Sequence, residues 1–354
     1  MFLYVGTFTD GFMGGAVSEG LYVFRFDVGS ERAHQVQVMR DVFSPSFVCL
    51  HPSGRWLFAA ERQVDPQDRS TGAISAWAIG EDGLLAPAWK IASGGASCAH
   101  ISVARDGRAL AVANPLGPTV AVCRLGPDGM PAGPLRVARH SGTGARPRQA
   151  NPWPHSATFD ADGRHVLACD LGLDRLFVYE TDGEGALSPG QQPYAQVSSG
   201  AGARHMAWSA DASTVYVANE LDSTISVFDY GDGPRLICKQ TIAATADDQP
   251  NQPAEIVVSP DGRRLYVSNR GADCISVFEI LAGSQRLRLR SQAPVMGNTP
   301  RHFALSADGA YGFVVNQLSG EIVGYRVDRS TGDLSPIGIV CSVPNPSCVA
   351  IGAN

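Results

Sequence analysis

Four of the eight histidines, His100, His155, His205 and His302, each open a short apolar run that leads into a turn. Arg204 and Arg301 stand immediately before His205 and His302, and Glu255 takes the same place in another run. A second set lies past the turns. Seven residues beyond each turn the chain reads Glu61, Asn114, Asp170, Asn219, Asn269 and Asn316. One residue further it reads Arg62, Pro115, Leu171, Glu220, Arg270 and Gln317. The first of these columns is uniformly polar and suits capping of the backbone of the following loop. The second does not repeat. In a chain built of copies, structural roles recur and function shows where recurrence breaks, so Glu220 and Arg270 stand out. Histidine and glutamate move protons, and arginine grips phosphate or carboxylate through paired donors. Together they point to proton transfer on a small anion. Plainer readings compete: a local ion pair for Glu220 and Arg270, and bonds between neighbouring units for the histidines. Buried charges are costly unless paired or used, which favours the functional reading.

The stretch from His140 to His155 is long, rich in glycine and arginine, and carries Arg148. It reads either as part of a substrate lid or as a plain connection. Other chemistries lack their signatures. There is no His-Glu-x-x-His, no paired Cys/His spacing, no Gly-x-Ser-x-Gly elbow and no nucleotide-binding glycine loop. Neither a metal nor a cofactor is expected.

The elements that must position these residues recur. A β-rich run ending in an aromatic occurs seven times at a period of about fifty residues: Leu21-Tyr-Val-Phe24, Ile74-Ser-Ala-Trp77, Val120-Ala-Val-Cys123, Leu176-Phe-Val-Tyr179, Ile225-Ser-Val-Phe228, Ile275-Ser-Val-Phe278 and Ile322-Val-Gly-Tyr325. Only Cys123 breaks the aromatic rule. Before six of these runs lies a strand, a tight turn such as Pro260-Asp-Gly262 or Ala307-Asp-Gly309, and a second strand. The termini supply the seventh copy. Pro346-Ser-Cys-Val-Ala-Ile351 mirrors Pro45-Ser-Phe-Val-Cys-Leu50, and Leu3-Tyr-Val-Gly6 mirrors Leu265-Tyr-Val-Ser268. Pairing the ends closes a ring and removes the open sheet edge. The fold expected is all-β: a seven-bladed β-propeller of four-stranded antiparallel blades, one domain over 1–354, its ring closed by the N- and C-terminal strands. A linear β-solenoid, the competitor, has no need of complementary ends.

Composition narrows the function. The chain has 354 residues, 39 glycines, 23 prolines and 44% hydrophobic residues, which excludes a disordered chain. A net charge of −6 argues against nucleic acid or a polybasic membrane role as partner. No apolar run is long enough to span a bilayer. The N-terminus lacks the basic and apolar regions of a secretory signal, and the eight cysteines, mostly in apolar strand-like runs, read as buried free thiols. Both point to the cytoplasm. The oligomeric state is open, a monomer among the options.

Val5-Gly-Thr-Phe-Thr9, Pro154-His155, Asp170-Leu-Gly-Leu-Asp174-Arg175, Arg204-His205, Asn219-Glu220-Leu221 and Asn269-Arg270-Gly271 together resemble the lactonase propeller family. That family includes cycloisomerase-type 6-phosphogluconolactonases and carboxy-cis,cis-muconate cyclase, and the resemblance covers essentially the whole chain. It implies a site of one histidine, two arginines and one glutamate, carried here by His155, Arg204, Glu220 and Arg270. Trp153 stands where the family often has the first histidine of His-Pro-His, which puts the substrate in question. Arg148, His205, Arg301 and His302 are the expected substrate-binding residues. The activity implied is metal-independent hydrolysis of an anionic sugar lactone, 6-phosphogluconolactone first, with Glu220 or His155 as base. A muconate-type cycloisomerase, or a propeller that only binds a small anion or a protein, is the alternative.

Overall fold

The computed structural model describes residues 1–65, 67, 70–182, 185–231 and 235–352. Among them, twenty-eight strands form seven four-stranded antiparallel sheets, the blades of a seven-bladed β-propeller. The only helical elements described are two 3-10 turns, Phe12–Gly14 and Pro147–Gln149. Contacts gather the chain into two compact units. One comprises Met1–Arg40, His205–Asp229 and Cys238–Asn354; the other comprises Asp41–Arg204 and Tyr230–Ile237.

In the first unit the closing sheet runs Pro346–Gly352, Phe2–Thr7, Leu21–Asp27, Arg32–Met39. Its termini pair as the sequence requires, with Leu3 opposite Ile351, Tyr4 opposite Ala350 and Val5 opposite Val349. Two more sheets span Gln252–Pro294 and Pro300–Ser342 in simple sequential order. The second unit holds the sheets spanning Pro45–Ala92, His100–Arg139 and Pro154–Gln196. The seventh sheet consists of Ala203–Trp208, Thr214–Asn219, Thr224–Gly231 and Arg235–Ala243.

Within each sheet the pattern of burial follows the residue types. The second strand is apolar on both faces and buried on both, as in Thr214–Asn219. The fourth strand alternates and faces solvent, as in Arg235–Ala243. The repeated aromatics of the third strand enter the core: Phe24, Trp77, Phe228, Phe278 and Tyr325 are all buried. In the first unit, Phe278 packs with Tyr216, Ile225 and Leu265, so these two blades are cemented by each other's side chains. In the second, Phe58, Ile74, Leu110 and Val112 do the same. Cys98, Cys123, Cys169, Cys274 and Cys348 are buried free thiols; Cys238, on an outer strand, is exposed. Burial pushes the Cys98 and Cys169 thiols up to about 12, so neither offers a thiolate.

The hairpin connections contain the expected Asp-Gly turns and extend one residue beyond them on each side, as at Pro260-Asp-Gly262. Between Val258 and Arg264 five residues intervene, and the Gly262 N–H closes back on the Ser259 carbonyl at 2.9 Å. Asp261 Oδ1 accepts from the Arg263 N–H and the Ser259 hydroxyl, which in turn accepts from the Arg264 N–H. Ser209 with Asp211, and Ser306 with Asp308, repeat this arrangement. Only the glycine position takes a positive φ, +70° at Gly262. Ala212 holds the same position at +56°, where a Cβ is strained. Ala212→Gly is therefore expected to stabilise the protein by about 1 kcal/mol in denaturant unfolding. The converse Gly262→Ala places a Cβ 2.7 Å from that of Ala210 and should destabilise by more than that strain alone.

Candidate active site

The site residues of the first unit sit where second strands end. Asn219, Asn269 and Asn316 are fully buried and close those ends. Asn269 Nδ2 donates to the Val267 carbonyl and Ser276 Oγ, Asn219 Nδ2 to Ser226 Oγ, and Asn316 Nδ2 to the Val295 carbonyl. The next residue in each sheet is Glu220, Arg270 or Gln317, so these three leave their strands at equivalent positions. Arg270 Nη2 donates to Glu220 Oε2 at 2.7 Å. Its Nε donates to the Gln252 carbonyl at 3.2 Å, so the inner strand of its own sheet also holds the guanidinium. Glu220 is 1% exposed and Arg270 7%. A pair this dry persists only if both charges are matched.

The column at the start of the inner strands forms a second cluster. Glu255 Oε2 lies 3.1 Å from His205 Nδ1 and 3.3 Å from His302 Nε2. The Val349 N–H points to His302 Nδ1 at 3.4 Å, which leaves the ring proton on Nε2, facing the carboxylate. The Ile256 N–H approaches Glu255 Oε1 at 3.1 Å. One glutamate thus ties histidines from two other sheets. Arg301, half-buried beside His302, donates to Gln317 Oε1 at 3.2 Å.

The second unit holds His155, Arg204 and Arg148. Arg204 is 1% exposed, the bulkiest of the fully buried side chains. His155 is buried at the start of its strand, and the adjoining Ser156 hydroxyl donates to the Arg204 carbonyl at 2.8 Å. Arg148 is exposed, on the 3-10 turn Pro147–Gln149. His100 stacks on Phe47 at 4.4 Å and receives the Ala157 N–H at Nδ1, a bond between neighbouring inner strands.

The connection leading to His155 is anchored by Gln149, Asp170 and Asp174, of which the sequence singled out the two aspartates, in the capping column and in one motif, but not the glutamine. Gln149, fully buried, donates to the Leu171 carbonyl and to Asp174 Oδ1 at 2.6 Å. Asp174 also accepts the N–H groups of Gly200 and Gly202, just ahead of Arg204. Asp170 accepts the Trp153 N–H at 2.8 Å and bonds His140 Nδ1 at 2.6 Å; His140 Nε2 meets the Tyr179 hydroxyl at 2.8 Å. Burial raises the Tyr179 hydroxyl well above its usual range, so this relay braces the connection and supplies no phenolate. The signal for these hubs lay in polar residues placed inside apolar surroundings, Asp170 and Asp174 within one motif. Among the described residues no group of three or more His, Cys, Asp or Glu is arranged to hold a metal ion. Nor is any helix among them long and apolar enough to cross a membrane.

Comparison with known proteins converges on one family. The family model described as lactonase, 7-bladed beta-propeller, matches residues 2–351. The chain is 31% identical over 353 residues to a 6-phosphogluconolactonase of Bacillus subtilis, covering 98% of this chain and 97% of that one. It is 29% identical over 341 residues to a 6-phosphogluconolactonase of Formosa agariphila, covering 95% of each. The periplasmic gluconolactonase of Pseudomonas aeruginosa superposes with a TM-score of 0.90 at 29% identity, covering 99% of both chains.

Asp174→Ala would strip two backbone N–H groups and the Gln149 amide of their acceptor. It is expected to destabilise the protein by about 3 kcal/mol, read as a lower denaturation midpoint.

Proposed function

The chain belongs to the lactonase seven-bladed β-propeller family, and we propose that it hydrolyses an anionic sugar lactone, 6-phosphogluconolactone first, without a metal. The observation that carries this reading is the buried Glu220–Arg270 pair, 2.7 Å apart, where the repeat breaks. Hydrolysis of a lactone needs a proton acceptor for water and a cation for the oxyanion. Glu220 takes a proton from water as its oxygen adds to the lactone carbonyl carbon. Arg270 steadies that carboxylate and the negative charge growing on the carbonyl oxygen. As the tetrahedral intermediate collapses, the bond from the carbonyl carbon to the ring oxygen breaks. The departing oxygen takes up a proton, and the product is an open-chain hydroxy acid. Arg204 and His155 are assigned to the same reaction on the family resemblance, Arg204 as an oxyanion partner and His155 as a proton carrier. The names of the Bacillus and Formosa relatives support the phosphorylated lactone. Eight free cysteines support a reducing compartment, the cytoplasm.

The test is hydrolysis of freshly made 6-phosphogluconolactone, with and without chelator, against the spontaneous rate. Acceleration that survives chelator is expected. Glu220→Gln and Arg204→Ala should each lose about 100-fold or more in kcat/KM. Absence of acceleration overturns the phosphosugar assignment and redirects the search to muconate cyclisation, followed by loss of conjugated-diene absorbance.

A further inference from the structure

Arg301 is held unlike Arg270. Its guanidinium carbon stands 5.0 Å from the centre of the Phe8 ring and 5.5 Å from that of Phe12. The two rings meet at 4.7 Å with a 50° tilt, forming a notch around the cation. Nη1 donates to Gln317 Oε1 at 3.2 Å and reaches Met13 Sδ at 3.9 Å. These groups fix the plane of the guanidinium without carrying charge themselves.

The notch is built, not incidental. Gln317 is fully buried and donates through Nε2 to Asn345 Oδ1 at 3.1 Å. Asn345, 2% exposed, donates through Nδ2 to the Phe12 carbonyl and accepts the Phe8 N–H on its own carbonyl at 2.9 Å. One asparagine therefore sets both rings and the amide that orients the arginine. The backbone pays for this shape with left-handed residues at Gly11, Met13, Gly14 and Asn345. Gly15 passes so close to Asn345 that a Cβ there would meet its side chain at 2.5 Å.

The notch adjoins the proposed chemistry. Gln317 follows Asn316 as Arg270 follows Asn269, so the partner of Arg301 holds the position that Arg270 holds one sheet earlier. The strands Gln252–Val258 and Arg264–Arg270 pack on Pro300–Leu305, where Arg301 lies. Arg270 is buried against Glu220; Arg301 is half-exposed. A guanidinium held by its faces keeps one plane, with the fork geometry that suits an oxyanion and the entropy of ordering already lost.

Building on the lactonase reading, we infer that Arg301, clamped by Phe8 and Phe12, is the specificity determinant that binds the phosphate monoester of the substrate, away from the lactone carbonyl. The experiment compares 6-phosphogluconolactone with gluconolactone, using the whole protein and the variants Arg301→Gln, Arg301→Lys and Phe12→Leu, each checked for folding by thermal unfolding. Arg301→Gln is expected to lower kcat/KM on the phosphorylated lactone about 10- to 100-fold, and at least tenfold more than on gluconolactone. Arg301→Lys should recover part of the loss, and Phe12→Leu should fall between, chiefly through KM. Equal losses on both lactones, or none on either, overturn the inference. If the unaltered protein hydrolyses neither lactone, the lactonase reading fails by itself. The inference is then decided by calorimetry with 6-phosphogluconate and gluconate. Tighter binding of the phosphorylated acid that Arg301→Gln abolishes upholds it; equal binding, or none, overturns it.

Discussion

A buried polar side chain stands at or one residue before the end of the second strand in six sheets, and the geometry beyond it depends on that side chain. There the strand ladder stops while the backbone is still walled in, and its polar groups must find partners. Glu61, Asn114, Asp170, Asn269 and Asn316 bond backbone groups there, and Asn219 bonds the Thr224 and Ser226 hydroxyls; all six have no exposure. In the sheet closed by the termini, Thr7 does the same through the Gly20 carbonyl. An amide does this at no electrostatic cost, and four of the six are asparagine. Glu61 shows the cost of a charge: burial pushes its carboxyl up, and the Lys90 ammonium at 2.6 Å works against that rise. Because the capping side chain is fixed, the residue after it leaves at a set depth.

What occupies that next position is not dictated by folding. Leu171 fills it with an apolar side chain, 1% exposed, and Pro115 fills it with a ring that donates no hydrogen bond. A buried ion pair gains little over an apolar pair of similar volume, so packing alone gives no reason for Glu220 and Arg270. The same holds for Glu255 between His205 and His302. Charge kept at positions where an apolar residue serves the fold elsewhere is the physical ground for placing chemistry there.

The sequence disclosed depth better than neighbourhood. The fifty-residue period and the complementary ends made the blades, the strand order and the closure legible, because each follows from alternation and turn chemistry. Counting from the turns put Glu220 and Arg270 at one level, and the structure brings them within hydrogen-bond reach. It could not pair His205 and His302 through Glu255, since register within a sheet says nothing of which side chain of the next sheet meets it. Asp174 was legible as a motif residue but not as the acceptor of Gly200 and Gly202, because those N–H groups lie 26 and 28 positions away on another connection. The turns carry a brace that Asp-Gly alone does not disclose, the hydroxyls of Ser259, Ser209 and Ser306 on the turn aspartates.

Ring closure and the proposed anion recognition share residues in the first unit. Asn345 immediately precedes the closing strand Pro346–Gly352, which pairs with Phe2–Thr7. Phe8 immediately follows that partner strand, and its N–H bonds back to Asn345. The contact that positions the aromatic notch is thus an extension of the ladder that closes the ring. Arg301 touches Met13 across 288 positions of sequence, and Asn345 reaches Phe12 across 333. Both contacts join the N-terminal segment to the C-terminal part of the chain. Arg270 and Glu220, by contrast, lie 50 positions apart on consecutive sheets and need only those two sheets to meet. Fraying of the terminal strand would therefore loosen the grip on Arg301 while leaving the Glu220–Arg270 pair in place, so substrate selection rests on closure more directly than the proposed proton transfer does.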